Sequence, residues 1–275
     1  MPKFRTLVIE DTLELPVDTL RKLGYDILRM KVRSALVSGT TEIQASEGIR
    51  TSLRLGDSAL IVGEVRSDEA KALFEAMRVG ALANVVAGTI HGDSPYGVFD
   101  RVVNDLQVPP TSFKATDIII IANPVKTADS LHSVKKVISI TEVRKHWNKD
   151  PALEKGFVDL LRYNVEKDEL EPTQELINGE SEIIKAIAGT VKGWAGNWDV
   201  VYGNIILRGK MKQEIVDAAE KLKKPELLEA KFNVISNEIF HKISESLQTD
   251  MGSLPPSDLV FEQWKAWLYK EAKKF

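Results

Sequence analysis

Short apolar runs that each end on a chemically capable residue constrain this chain more than any other feature. Phe4 to Ile9 is strand-length and runs straight into Glu10-Asp11-Thr12-Leu13-Glu14. Ala59 to Val62 is a second such run and ends at Gly63-Glu64. Asn84 to Ile90 is a third and ends at His91-Gly92. Between them lie stretches of helical character. Ala45 to Leu55 is one. Asp68 to Val79 is another, with Ala70, Leu73, Phe74 and Met77 on one face, Ser67 or Asp68 available as a cap and Gly80 available to end it. Ser94-Pro95 opens a further helix, with proline in the first turn where its missing N–H does no harm. Asp117 to Ala122 reads as a fourth strand. Strands alternating with helices predict a mostly parallel α/β sheet, and apolar strands without strict alternation predict cover on both faces.

The pattern changes after about residue 130. Ser133 to Thr141 and Gly156 to Val165 read as strands able to form a small antiparallel extension. From Thr173 the chain reads as mostly helical, interrupted over Gly189 to Gly203 and again at Gly252-Ser253-Leu254-Pro255-Pro256-Ser257. Helices are expected over Lys210 to Lys223, over Pro225 to Leu247 and from there to Phe275. The expected division is a core over residues 1–143 and a β-extension with a helical region over 144–275.

Composition excludes several chemistries. The 275 residues hold no cysteine, which removes disulfides, thiolate zinc sites and cysteine nucleophiles. A net charge of -3 argues against a dedicated nucleic-acid binder. No apolar run approaches the roughly 20 residues that span a bilayer, so any membrane association is expected to be peripheral, through partners.

Four constellations could carry chemistry. In an open α/β sheet, ligands sit at the carboxyl ends of the strands. Glu64 is delivered there, where a carboxylate can order a Mg²⁺-bound water or polarise an attacking one; the plain alternative is a helix cap or an ion pair with Arg66. His91 is delivered to the same edge and could sense a phosphate, although a lone histidine is usually structural. Glu10, Asp11 and Glu14 could reach a metal through water, or form a solvated turn. Arg50 and Arg54, four residues apart, and Arg66 could supply charge to a transition state, or form ion pairs of small worth.

A phosphate-binding loop of the form G-x-x-x-x-G-K-[ST] has no match. The nearest segment, Gly203 to Met211, has a spacer one residue too long and methionine where the hydroxyl should be.

Taken in order, Val8 to Leu15, Ile49 to Leu55, Ala59 to Arg66, Glu69 to Gly80 and Gly88-Thr89-Ile90-His91-Gly92 resemble the acidic box, Walker B strand and histidine box of the secretion ATPases. That family drives type II secretion, type IV pili and archaeal surface filaments, and Ser94 to Val108 resembles its archaeal members most closely. The resemblance covers residues 4–143; the carboxy-terminal half is similar only loosely. It implies a RecA-like P-loop NTPase core, incomplete here because the P-loop strand is missing. It also implies a cytoplasmic hexamer that hydrolyses ATP with Mg²⁺ between subunits and docks on an inner-membrane platform protein. Carried over, Glu64 is the Walker B acid, Glu10 and Glu14 are acids near Mg²⁺, and His91 reads the γ-phosphate. Arg50, Arg54 and Arg66 are implied as contacts across subunits. Without the P-loop, the chain alone is expected to bind no nucleotide and to be inactive.

Three arrangements stay open: part of a motor ATPase, half of a split enzyme completed by a P-loop-bearing partner, or a catalytically dead RecA-derived module that docks on a motor or platform protein. In the last helix, Phe261, Trp264, Trp267 and Leu268 form a stripe expected to pack on its own domain, the alternative being a docking face.

Overall fold

The computed structural model describes residues 5–33, 43–52, 58–79, 85–126 and 132–275. Two compact units divide between residues 183 and 184. The strands and helix that follow residue 143 therefore belong with those before it, up to Ile183.

In the first unit, β1 (Arg5–Glu10), β2 (Ile27–Lys31), β3 (Ser58–Val62) and β4 (Val85–Gly88) form a parallel sheet in the order β2-β1-β3-β4. The central strand β1 is buried on both faces, as its unbroken Leu7-Val8-Ile9 run requires. One face carries Val8, which packs with Val17 of α1 (Val17–Lys22) and with Ile27. The other carries Leu7, Ile9, Leu60 and Val62, which pack with α2 (Ala45–Ser52) and α3 (Glu69–Val79) through Ile49, Leu73 and Phe74. Strand β2 was missed in the sequence: Ile27-Leu28-Arg29-Met30-Lys31 is a short run with two charged residues at the sheet edge.

Helix α4 (Pro95–Asp100) begins as expected, with the Ser94 side chain accepting from the backbone N–H of Gly97. It continues into a π-type turn over Arg101–Asp105, and a short α5 (Pro110–Phe113) follows. The next strand departs from expectation. Ile118 to Ala122 does not join the parallel sheet; β5 (Ile118–Lys126) pairs antiparallel with β6 (Ser133–Val143). A neighbour that follows within a few residues can pair antiparallel through a short connection, whereas a parallel return needs a long crossover. Strand β6 also pairs with β7 (Phe157–Asn164), the expected extension, and β8 (Glu169–Pro172) completes the sheet in the order β5-β6-β7-β8. Helix α6 (Gln174–Ile177) follows.

The two sheets share one core. Phe99 stands at its centre, edge-on to Phe113 at 5.1 Å and to Trp147 at 5.6 Å. Phe74 stacks on Phe113 at 6.0 Å. Together with Phe157 of β7, 6.4 Å from Phe99, these aromatics tie α3, α4 and α5 to the antiparallel sheet.

Helix α7 (Glu182–Gly189) spans the division between the units. Beyond it lie α8 (Trp198–Leu222), α9 (Ala230–Met251) and α10 (Ser257–Glu271). Helix α8 starts at Trp198, so the expected interruption ends earlier than Gly203, and Gly203 to Met211 is continuous helix rather than a phosphate-binding loop. Trp264 and Leu268 are fully buried in this unit's own core, with Phe261 and Trp267 packed against it. The aromatic stripe is therefore an internal packing surface. Among the described residues no helix is long and apolar enough to cross a membrane.

Candidate functional site

Parallel pairing places the carboxyl ends of β1, β3 and β4 along one edge. Past those ends the backbone stays locked: the Gly63 N–H donates to the Ile9 carbonyl at 2.8 Å and the Val65 N–H to the Thr89 carbonyl at 2.8 Å. The Thr89 hydroxyl donates to the Gly63 carbonyl at 2.5 Å. Gly63 sits in a tight place, since a Cβ there would lie 3.1 Å from Glu10 Cγ and the Glu10 side chain would have to give way. At Gly92 a Cβ would lie 2.6 Å from Val98 Cγ2, so only glycine lets the His91 turn press against α4.

Four side chains meet on this edge. Arg66 places Nη2 2.6 Å from Asp11 Oδ2 and 3.1 Å from Glu64 Oε2. His91 places Nε2 3.3 Å from Glu64 Oε1. Glu64 thus stands between a guanidinium and an imidazole. The imidazole is 81% exposed, so it is the member of the group most open to a ligand. A cavity of about 240 Å³ opens beside Asp11, Glu64 and Arg66 and is also lined by Arg33, Gln44 and Ser46.

The sequence-expected residues fall into three groups. Glu64, Arg66 and His91 come together. Glu10 does not join them. It is 2% exposed, its Oε1 accepts from the N–H of Glu14 at 2.9 Å and of Leu15 at 2.8 Å, and its Oε2 lies 3.4 Å from Arg29 Nε, close but not aligned as a hydrogen bond. It folds the acidic turn from within. Asp11, one residue on, points to the opposite side of the strand, as a period of two dictates, and reaches the cluster instead. Glu14 is exposed. Arg50 lies exposed on α2 and outside the cavity lining, and Arg54 lies outside the described residues. Arg33, Gln44 and Ser46 carried no sequence signal, because only the tertiary fold brings them to this edge.

Glu69 organises the floor of the cavity. Its carboxylate accepts from the backbone N–H of Arg66 at 2.7 Å and of Ser67 at 2.9 Å, and from the Ser67 hydroxyl. Burial pushes its pKa up, but the Ser67 hydroxyl and these N–H groups more than offset that and hold it below its ordinary 4.5. Glu69 thus ties down Arg66 and Ser67, the residues that lead into α3.

Asp11 and Glu64 are placed as acids that could hold a hydrated Mg²⁺ through water. No group of three His, Asp or Glu suited to direct metal ligation occurs among the described residues.

No protein-family model matches the chain. It is 30% identical over 189 residues to an uncharacterized protein of Methanocaldococcus jannaschii. That match takes in 68% of this chain and 63% of the relative, so the chain spans less than two thirds of the relative's length. Among solved structures, it is similar to the ATPase DotB of Legionella pneumophila, with TM-score 0.38 and 18% identity over 50% of this chain and 36% of that one. The ATPase DotB of Yersinia pseudotuberculosis gives TM-score 0.39 and 16% identity over 55% and 38%. Likeness at this level carries no functional argument.

Proposed function

We propose that this chain is the acid-bearing part of a hexameric, ATP-hydrolysing motor of the kind that drives protein secretion or filament assembly. One observation carries the reading: Asp11, Glu64 with Arg66, and His91 follow three different parallel strands and converge on one edge beside a cavity. In the proposed motor Glu64 positions or activates the attacking water, Asp11 holds a hydrated Mg²⁺, and exposed His91 reads the γ-phosphate. Arg66 leaves the carboxylates for the phosphates once the ion arrives. Glu10 keeps the turn that presents Asp11 in shape. The phosphate cradle is proposed to come from outside these 275 residues, on the same polypeptide or a partner, because the sequence contains no P-loop. The motor is proposed to work at the cytoplasmic face of the membrane, held there by a platform protein.

A second reading has its own support. Arg66 already satisfies both Asp11 and Glu64, and a closed ion-pair cluster is what a structural joint needs. On that reading the chain is an inactive adaptor that docks on a motor or platform protein. Turnover by the assembled complex carrying Glu64→Gln separates the two readings, since an adaptor leaves it unchanged, and calorimetry with ATP and Mg²⁺ on the full chain tests where nucleotide binds. The proposal expects no binding below about millimolar concentration, since the cradle supplies most phosphate contacts. Micromolar binding that Glu64→Gln and His91→Ala leave unchanged would place the nucleotide elsewhere and end the proposal.

A further inference from the structure

The parallel sheet stops at β4, and the antiparallel sheet stops at β5. Among the described residues, no strand pairs with the outer edge of either. Both edges line one cavity of about 530 Å³. Strand β4 is poorly covered for a parallel strand, with Val85 56% exposed. Ile120, within the run Ile118 to Ile121, is 59% exposed. Free edges of soluble sheets usually carry charges, proline or a bulge to discourage pairing. Val85-Val86-Ala87-Gly88 and Ile118 to Ala122 carry neither charge nor proline. The bulge between Ile121 and Ala122 comes only at the end of the apolar run, and Pro124 and Lys126 of β5 lie beyond it. Charged residues make up 28% of the chain, yet the cavity lining contains none among the described residues.

We propose that this cavity is a docking slot for one extended, uncharged polypeptide segment, which pairs its backbone with the outer edge of β4 and packs its side chains over Ile118 to Ala122. Two observations select this occupant. Unpaired strand edges ask for N–H and C=O groups in extended register, which a small apolar molecule or a helix does not offer. A lining without charge excludes acidic and basic segments, which would lose hydration without compensation. A segment running parallel to β4 would deliver whatever follows it to the edge that holds Glu64 and His91. The slot stands on its own geometry, so failure of the nucleotide reading leaves it intact.

The test uses the full chain and a synthetic peptide, acetyl-Thr-Val-Ile-Val-Thr-Lys-Lys-amide, whose lysines keep it in solution. Its valine and isoleucine carbonyls are ¹³C-labelled, and binding is read by calorimetry and isotope-edited infrared spectroscopy. Saturable binding below about 1 mM is expected, with the labelled carbonyls moving to a β-sheet frequency. Methylating alternate backbone nitrogens is expected to weaken binding at least about tenfold, because those amides can no longer donate. Ile120→Lys and Ala122→Lys change exposed side chains, keep the fold by circular dichroism, and weaken binding similarly. Val134→Lys, also at an exposed position but outside the lining, is expected to leave it unchanged. Absence of binding, equal binding of the methylated peptide, or equal effects of Ile120→Lys and Val134→Lys would overturn the proposal.

Discussion

Removing the Glu10 carboxylate tests whether it builds the site or serves in it. In Glu10→Ala, the N–H groups of Glu14 and Leu15 lose their acceptor, and Arg29 Nε loses the carboxylate 3.4 Å away. An orphaned buried polar group costs about 1–3 kcal/mol. Glu14 is exposed, so water replaces part of that loss at its amide. Arg29 keeps the Leu15 carbonyl at 2.6 Å and Asp18 at 3.1 Å. The expected sum is about 2–4 kcal/mol for Glu10→Ala. Glu10→Gln retains an acceptor for the two amides and loses only the charge facing Arg29, so about 1–2 kcal/mol is expected. Urea unfolding followed by hydrogen exchange over residues 11–16 reads both the global cost and the release of the Glu14 and Leu15 amides. Two findings would refute the reasoning: Glu10→Ala as stable as wild type, or fast exchange at those amides in the wild type. Either would mean that the carboxylate is free for a metal.

Glu69→Gln is expected to cost about 1–3 kcal/mol at neutral pH. The folded pKa is lowered, so the stabilisation is present above 4.5 and fades as pH falls through the lower folded value. Urea unfolding should therefore show the gap between wild type and variant closing below pH 4.5. Phe99→Ala removes the ring shared by Phe113 and Trp147 and is expected to destabilise the first unit by about 3–5 kcal/mol, read by urea unfolding with Trp147 fluorescence. In the second unit, burial and then the Arg208 guanidinium hold His241 below its ordinary 6.5. The folded state favours neutral imidazole, so thermal stability should fall as pH drops below 6.5, and His241→Gln should flatten that dependence.

The parallel core was legible because its strands are apolar runs ending in polar residues. The edge strand β2 was hidden because Ile27 to Lys31 is short and carries two charged residues. Ile118 to Ala122 misled because periodicity shows that a strand is buried, not whether its partner lies parallel or antiparallel. At the site, Glu64, Arg66 and His91 were legible as strand-end residues. The exchange of Glu10 for Asp11 was not, since it depends on which face of β1 is turned toward α2 and α3. Residues of the cavity wall such as Gln44 are brought in by tertiary packing, which no local pattern encodes.

The central claim is that Glu64 and its neighbours form the catalytic edge of an ATP-hydrolysing assembly. The most direct test is ATP turnover by the assembly recovered from its own cells through a tag on this chain, with wild-type chain or Glu64→Gln. The account predicts a loss of at least about 100-fold on removing the acid that positions the water. Turnover within about twofold of wild type would contradict it, because no catalytic carboxylate leaves so small a trace.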